Sequence, residues 1–163
     1  MNECLRDGLQ TMFPALSRGI PEINVEKFEP LFIKEVGVSK GHGAVLLTGA
    51  LHDLFVYGPS NATTTFVVMD LKNKTWQFGI EVPYLKLESQ YNIKGNILLL
   101  PVVGTGDSII HLRDTKCIVT TDFEYSTIQN REILQITKMK VDFSVSGMRL
   151  HLSNLFNGNK DKR

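Results

Sequence analysis

Apolar and polar residues alternate strictly over three long stretches, and this constrains the chain more than any other feature. In residues 75–82, Trp76, Phe78, Ile80 and Val82 alternate with Thr75, Gln77, Gly79 and Glu81. In residues 85–99 the apolar set moves to odd positions: Leu85, Leu87, Tyr91, Ile93, Ile97 and Leu99, with Ser89 and Gly95 among them. Met139, Val141, Phe143 and Val145 alternate with Lys140, Asp142 and Ser144. Successive side chains of a strand point to opposite faces, so each stretch predicts a strand with one apolar and one wet face. Strands of that kind belong to antiparallel sheets, because parallel ones are buried on both faces. Gly95 predicts a bend in the longest stretch. After Gly147 the apolar set shifts phase to Met148, Leu150 and Leu152, as a β-bulge at Ser146-Gly147 would produce.

Further strands are expected at 32–38, 43–50, 52–58, 64–71, 108–112 and 117–125, with breakers at 39–41, Gly58-Pro59, 72–74 and 104–106. The longest apolar run, 97–103, contains Pro101 and reads as a buried strand. One helix stands apart, since Leu5, Leu9, Met12, Phe13 and Leu16 fall on one helical stripe. Pro14 should kink or weaken it near Phe13, and Gly19 followed by Pro21 should end it. The last residues, 157–163, are polar and expected to fray. At 163 residues the chain is one domain, with a folded surface of about 8,000 Å² expected. The fold class is α+β, mostly β: a strongly curved antiparallel sheet with an N-terminal helix.

Composition excludes several functions. A net charge of +1 does not suit a nucleic-acid surface, and no apolar run reaches the ~18 residues of a membrane span. Two cysteines, Cys4 and Cys117, exclude a disulfide scaffold and a cysteine-based zinc finger, and the sequence does not say whether they pair. His42, His52, His111 and His151 have no metal-binding spacing. Gly104-Thr105-Gly106-Asp107-Ser108 is neither a nucleophile elbow nor a phosphate loop, and reads as a turn between strands. No catalytic residue, metal or cofactor is expected. What remains is apolar surface on bent strands, which is either ordinary core or the lining of an internal cavity. The opening Met1-Asn2-Glu3 carries no leader, whereas the sequons at Asn61 and Asn73 suit a secreted glycoprotein.

Residues 2–31, with their Cys-bearing helix, the GIPE segment and the EPL that follows, resemble the N-terminal signature of the takeout and haemolymph juvenile-hormone-binding protein family of insects. The resemblance continues through 41–63 and 91–108 and closes with MRLHLSNLFNGNK at 148–160. It implies a curved sheet of the tubular-lipid-binding superfamily, wrapped in the family around a long C-terminal helix that this chain lacks. It also implies a secreted, non-enzymatic carrier of small lipophilic ligands (juvenile hormone, terpenoid or fatty acid) in an apolar tunnel. The expected lining is Leu9, Met12, Phe13 and Leu16 on the helix, with Phe78, Ile80, Tyr91, Ile97, Leu99, Val141 and Phe143 on strands. The hydroxyl of Tyr91 or Tyr125 would orient the ligand's polar end. The family's partner for Cys4 lies upstream, so a fragment missing both ends is expected, with tunnel closure affected. No nucleic-acid partner and no membrane insertion are expected. The alternative is a structural or interaction protein that uses the same apolar face for a partner or for self-association.

Overall fold

The computed structural model describes residues 1–42 and 45–155. The expected tail at 157–163, and Gly43 and Ala44 of the strand expected at 43–50, lie outside the described residues. Helix α1 (Asn2–Arg18) half-buries Leu9, Phe13 and Leu16, while Leu5 and Met12 of the same stripe are exposed. It runs through Pro14 without ending there. Its last turn is held locally and from outside: Ser17 is buried, its hydroxyl donates back to the Pro14 carbonyl (3.1 Å), and the Phe28 amide beyond the helix donates to the Ser17 carbonyl (3.2 Å). Gly19 then ends the helix at φ 82, where an added Cβ would lie 2.8 Å from the Lys27 nitrogen.

The described strands form one antiparallel sheet: β1 (Leu31–His42), β2 (Val45–Tyr57), β3 (Thr63–Asp70), β4 (Thr75–Ile97), β5 (Leu100–Ile128), β6 (Arg131–Ser144) and β7 (Gly147–Leu152). Their order is β1-β2-β4-β5-β6, with β3 also beside β4 and β7 also beside β5. β4 and β5, of 23 and 29 residues, run the whole length. β2 and β3 share one edge of β4 in succession, and β6 and β7 share the far edge of β5. Several expected strands are therefore segments of longer ones: 75–82 and 85–97 both fall in β4, with Leu98 and Leu99 of the expected 85–99 in the loop beyond it, and 108–112 and 117–125 both fall in β5. The breaker at 39–41 lies inside β1, whereas Gly58-Pro59 and 72–74 do interrupt the chain.

A crease divides this sheet. Pairing of β4 with β5 skips one position between Val82↔Thr115 and Tyr84↔Arg113, and Asp114 there has φ 48. Ser146, between β6 and β7, closes onto the same point. Its amide donates to the Arg113 carbonyl (3.1 Å) and its hydroxyl to Asp114 Oδ2 (2.7 Å). Pro83, Asp114 and Ser146 thus stand in line across the sheet, and the turn at Pro59–Asn61 separates β2 from β3 at the same level. Proline has no amide to give a ladder, so it fits only where the ladder is interrupted. On β4 the apolar positions change from even to odd across the crease. On β5 they change from even (Ile110, Leu112) to odd (Cys117, Val119, Phe123). The register is the same on both sides, so the strands shift together. The bulge expected at Ser146-Gly147 is absent: Lys116↔Ser144 and Arg113↔Gly147 keep one register, and the phase change there is the crease, which β5 makes as well.

The accessible surface is 11450 Å², well above the ~8,000 Å² of a compact chain of this mass. The excess arises because the sheet is a single layer. Helix α1 packs against β3 and the Pro59–Asn61 turn, and all 14 residues of β6 are exposed. The buried side chains, among them Leu54, Val67, Val82, Tyr91, Val102, Val119 and Phe123, lie along the centre of the sheet.

Candidate ligand-contact face

Register assembles one apolar face from β3, β4, β5 and β6. Phe78, Val119 and Val141 form one row across the strands, and Ile80, Cys117 and Phe143 form the next. Trp76, Thr121 and Met139 make a third row on the other side. On β6 the apolar positions change to Ile136 and Leu134 at the irregularity opposite Asp122 and Phe123, which keeps them paired with Phe123 and Tyr125. The opposite face carries Glu81, Gln77, Lys116, Thr120, Asp142 and Lys140. That division is the alternation read from the sequence.

The face has a buried floor and an exposed rim. Thr121 and Phe123 are 1% exposed, whereas Val141 is 51%, Phe143 73% and Tyr125 48% exposed. Aromatic rings line its middle, with Trp76 and Phe78 at 5.1 Å between centroids and Phe123 edge-on to Tyr125 at 5.8 Å. Burial pushes the Cys117 thiol above its ordinary pKa, so it stays protonated at neutral pH. Among the described residues, three polar atoms on this face are buried with no hydrogen-bond partner, Trp76 Nε1, Thr64 Oγ1 and Thr115 Oγ1, and two more, Ser89 Oγ and Ser108 Oγ, lie on paired positions beyond the crease. Buried polar groups are normally satisfied, so three on one apolar face are unusual. The sequence reading missed them. The signal available was the single tryptophan at an apolar position of the 75–82 alternation.

Phe78, Ile80, Tyr125, Val141 and Phe143 therefore share one face. Leu9, Phe13 and Leu16 are half-buried on the helix that packs against β3, where Phe13 meets Phe28 edge-on (6.5 Å), and Met12 is 52% exposed. Tyr91 lies across the crease, 2% exposed, with its hydroxyl donating to the Ser153 carbonyl (2.8 Å) and its pKa raised by burial. That hydroxyl is already committed to the protein. Leu99 is 97% exposed in the two-residue loop joining β4 to β5, about 65 Å of strand path from Phe78. The run 97–103 is accordingly not one buried strand but a hairpin end, and the side chain of Ile97 lies outside the described residues.

The Gly-Thr-Gly segment is likewise not a turn. Gly104 and Gly106 are in the interior of β5 because residues 153–155 cross there. A Cβ on Gly106 would meet the Ser153 carbonyl at 2.6 Å, and one on Gly104 the Tyr91 hydroxyl at 2.7 Å. Ser153 and Asp107 exchange two further bonds, at 2.7 and 2.9 Å.

A cavity of about 830 Å³ opens at the crease among Glu29, Tyr57, Pro83, Tyr84, Lys86 and Glu88. A smaller one of about 290 Å³ is lined by Tyr84, His111, Arg113, Met148 and Arg149. None of the expected contact residues lines either. Among the described residues no group of three His, Cys, Asp or Glu could hold a metal ion. Cys4 and Cys117 are both free thiols. Asn61 and Asn73 are exposed, although Asn73 Nδ2 donates to Asp70 Oδ2 (2.7 Å).

A single-layer, creased antiparallel sheet with a helix along β3 is the takeout fold. The crystal structure of Epiphyas postvittana Takeout 1 superposes with a TM-score of 0.86 over 98% of this chain and 73% of that one, at 24% identity. The family model of haemolymph juvenile hormone binding protein matches residues 1–163, and the chain belongs to that family. The circadian clock-controlled protein daywake of Drosophila melanogaster is 31% identical over 98% of this chain, and that of Drosophila yakuba 30%. The chain spans 65% of the length of each.

Proposed function

We propose that this protein is a non-enzymatic carrier of small lipophilic ligands, which lie on the apolar face of β3 to β6. The observation that carries this reading is the combination of an aromatic, one-sided face with the three unpartnered polar atoms. Ligand sites are mostly apolar with a few polar anchors. A terpenoid ester or fatty acid offers one or two acceptors to the Trp76 indole N–H and the Thr64 and Thr115 hydroxyls. Tyr125, half exposed on the same face, is better placed than Tyr91 to meet the ligand's polar end. Family membership supports the lipophilic class, and the particular ligand follows only from this proposal. On the same reading the protein is secreted and carries glycans on Asn61 and Asn73, which a glycosidase-induced mobility shift of material from secretory cells would reveal.

Burying about 400 Å² of apolar ligand surface gains about 10 kcal/mol, and association costs at least about 4, which leaves a Kd no tighter than tens of micromolar. Titration with a fluorescent fatty-acid analogue tests this. Trp76→Phe should weaken binding about fivefold, the worth of one hydrogen bond, whereas Tyr91→Phe should leave it unchanged. Equal affinities for the parent and Phe78→Asp would place the ligand elsewhere. The fully exposed strand β6, paired on one edge only among the described residues, favours a second reading in which the face also mediates self-association.

A further inference from the structure

The alternation that organises this sheet fails at one place, the end where β4 turns into β5. On the side of β4 that carries Lys94 and Asn96, Lys94 pairs with Thr48 and Val103, and Asn96, next to the loop, pairs with Leu46 and Pro101. Leu46 is 57% and Val103 47% exposed, while the other side holds the half-buried Leu47 and the buried Val102. Apolar side chains therefore stand on both faces here, with Lys94, Asn96 and Thr48 among them on one. The loop between them is Leu98-Leu99, 69% and 97% exposed.

Two costs coincide in that loop. Leu98 is held at φ 57, a conformation in which Cβ is crowded and glycine is preferred, and its side chain is left in water. A hairpin selected for stability alone would carry glycine or asparagine there. Charge adds an independent observation. Between Glu35 and Asp53, and between Glu88 and Asp107, there is no acidic residue in a chain that has 17. The Lys and Arg of those stretches are Lys40 and Lys94 alone. A second copy docked symmetrically here would set Lys94 near its own equivalent. An anionic lipid surface instead offers acyl chains to the leucines and phosphates to the lysine.

We propose that the β4–β5 hairpin end, flanked by Leu46 of β2, docks peripherally on an anionic lipid bilayer, with Leu98 and Leu99 in the acyl boundary and Lys94 at the headgroups. No described helix is long and apolar enough to cross a membrane, and none is needed for this attachment. The inference goes beyond ligand carriage and does not depend on it. Flotation of the chain with phosphatidylcholine vesicles, with and without phosphatidylserine, tests it. Leu98→Gly combined with Leu99→Ser places residues that suit the loop, so the variant keeps its fold, and its melting temperature should not fall. Its vesicle binding should drop at least tenfold. Lys94→Gln should weaken binding about fivefold, on phosphatidylserine vesicles only. Fatty-acid binding by the double variant should match the parent, which separates this test from that of the carrier reading. A parent chain that does not float, a double variant that floats equally, or a parent dimer abolished by the double substitution without any vesicle binding would each overturn the proposal.

Discussion

Glu29 shows how one side chain converts a motif into structure. Its carboxylate accepts the Gly58 amide at 2.9 and 3.2 Å and the Ser60 amide at 2.9 Å, pinning the turn after β2 to the segment that leads into β1. Burial acts most strongly on this carboxyl and opposes ionisation. The hydrogen bonds from Gly58 and Ser60 together outweigh it and hold the pKa below the ordinary 4.5. A pKa lowered by folding contributes stability above the unfolded value, and that stability is lost as pH falls through the folded value. Glu29→Gln should therefore cost about 1 kcal/mol at pH 7, with the difference from the parent shrinking progressively below about pH 4.5 in urea denaturation. A constant difference down to pH 3 would contradict this. The residues that carried the family resemblance, Gly19 and Glu29 among them, are legible in this light as caps and ties. Tyr91 is the complementary case: a tyrosine on an apolar stripe looks the same in a sequence whether its hydroxyl awaits a ligand or, as here, donates to the Ser153 carbonyl.

At the level of elements, α1 does for β3 what a neighbouring strand would. The Gln10 side chain accepts from the Thr64 amide (2.7 Å) and donates to the Ala62 carbonyl (3.2 Å), and Asn2 Oδ1 accepts from the Met69 amide (3.3 Å). The helix thereby covers an edge that would otherwise be open to pairing. Gln10→Ala should cost about 1–2 kcal/mol and speed amide exchange at Thr64 before the rest of β3. Exchange at Thr64 unchanged from the parent would show that the helix only rests on the strand. Element type was largely legible in the sequence, since period-two alternation and the helical stripe are direct consequences of backbone geometry. Element length was not. Pro83 and the phase change beside it look like a strand end, yet the same signals arise when a long strand passes through a crease. The reverse error came at 97–103, where an unbroken apolar run concealed a turn because its loop residues are leucines and not glycine or asparagine.

For the whole molecule, the excess of surface over a compact chain sets the behaviour in solution. Val141, Phe143 and Met139 are exposed beside an edge of β6 that is unpaired among the described residues, and burying them needs either a ligand or further polypeptide. The sequence could show that one face was apolar but not that β6 would lie uncovered, because coverage depends on where the other elements pack. A stable dimer needs about 800 Å² from each partner, so the 14 exposed residues of β6 would have to act together with their neighbours on β5. The chain should therefore dimerise reversibly at tens of micromolar by sedimentation velocity. Val141→Lys with Phe143→Lys should weaken the dimer at least tenfold without changing the far-ultraviolet circular dichroism, because both positions are already in water. Ligand and second copy claim the same face, so saturating fatty acid should shift the parent toward monomer, by linkage. A dimer indifferent to both the lysines and the fatty acid would place its interface on another surface and leave β6 to serve the ligand alone.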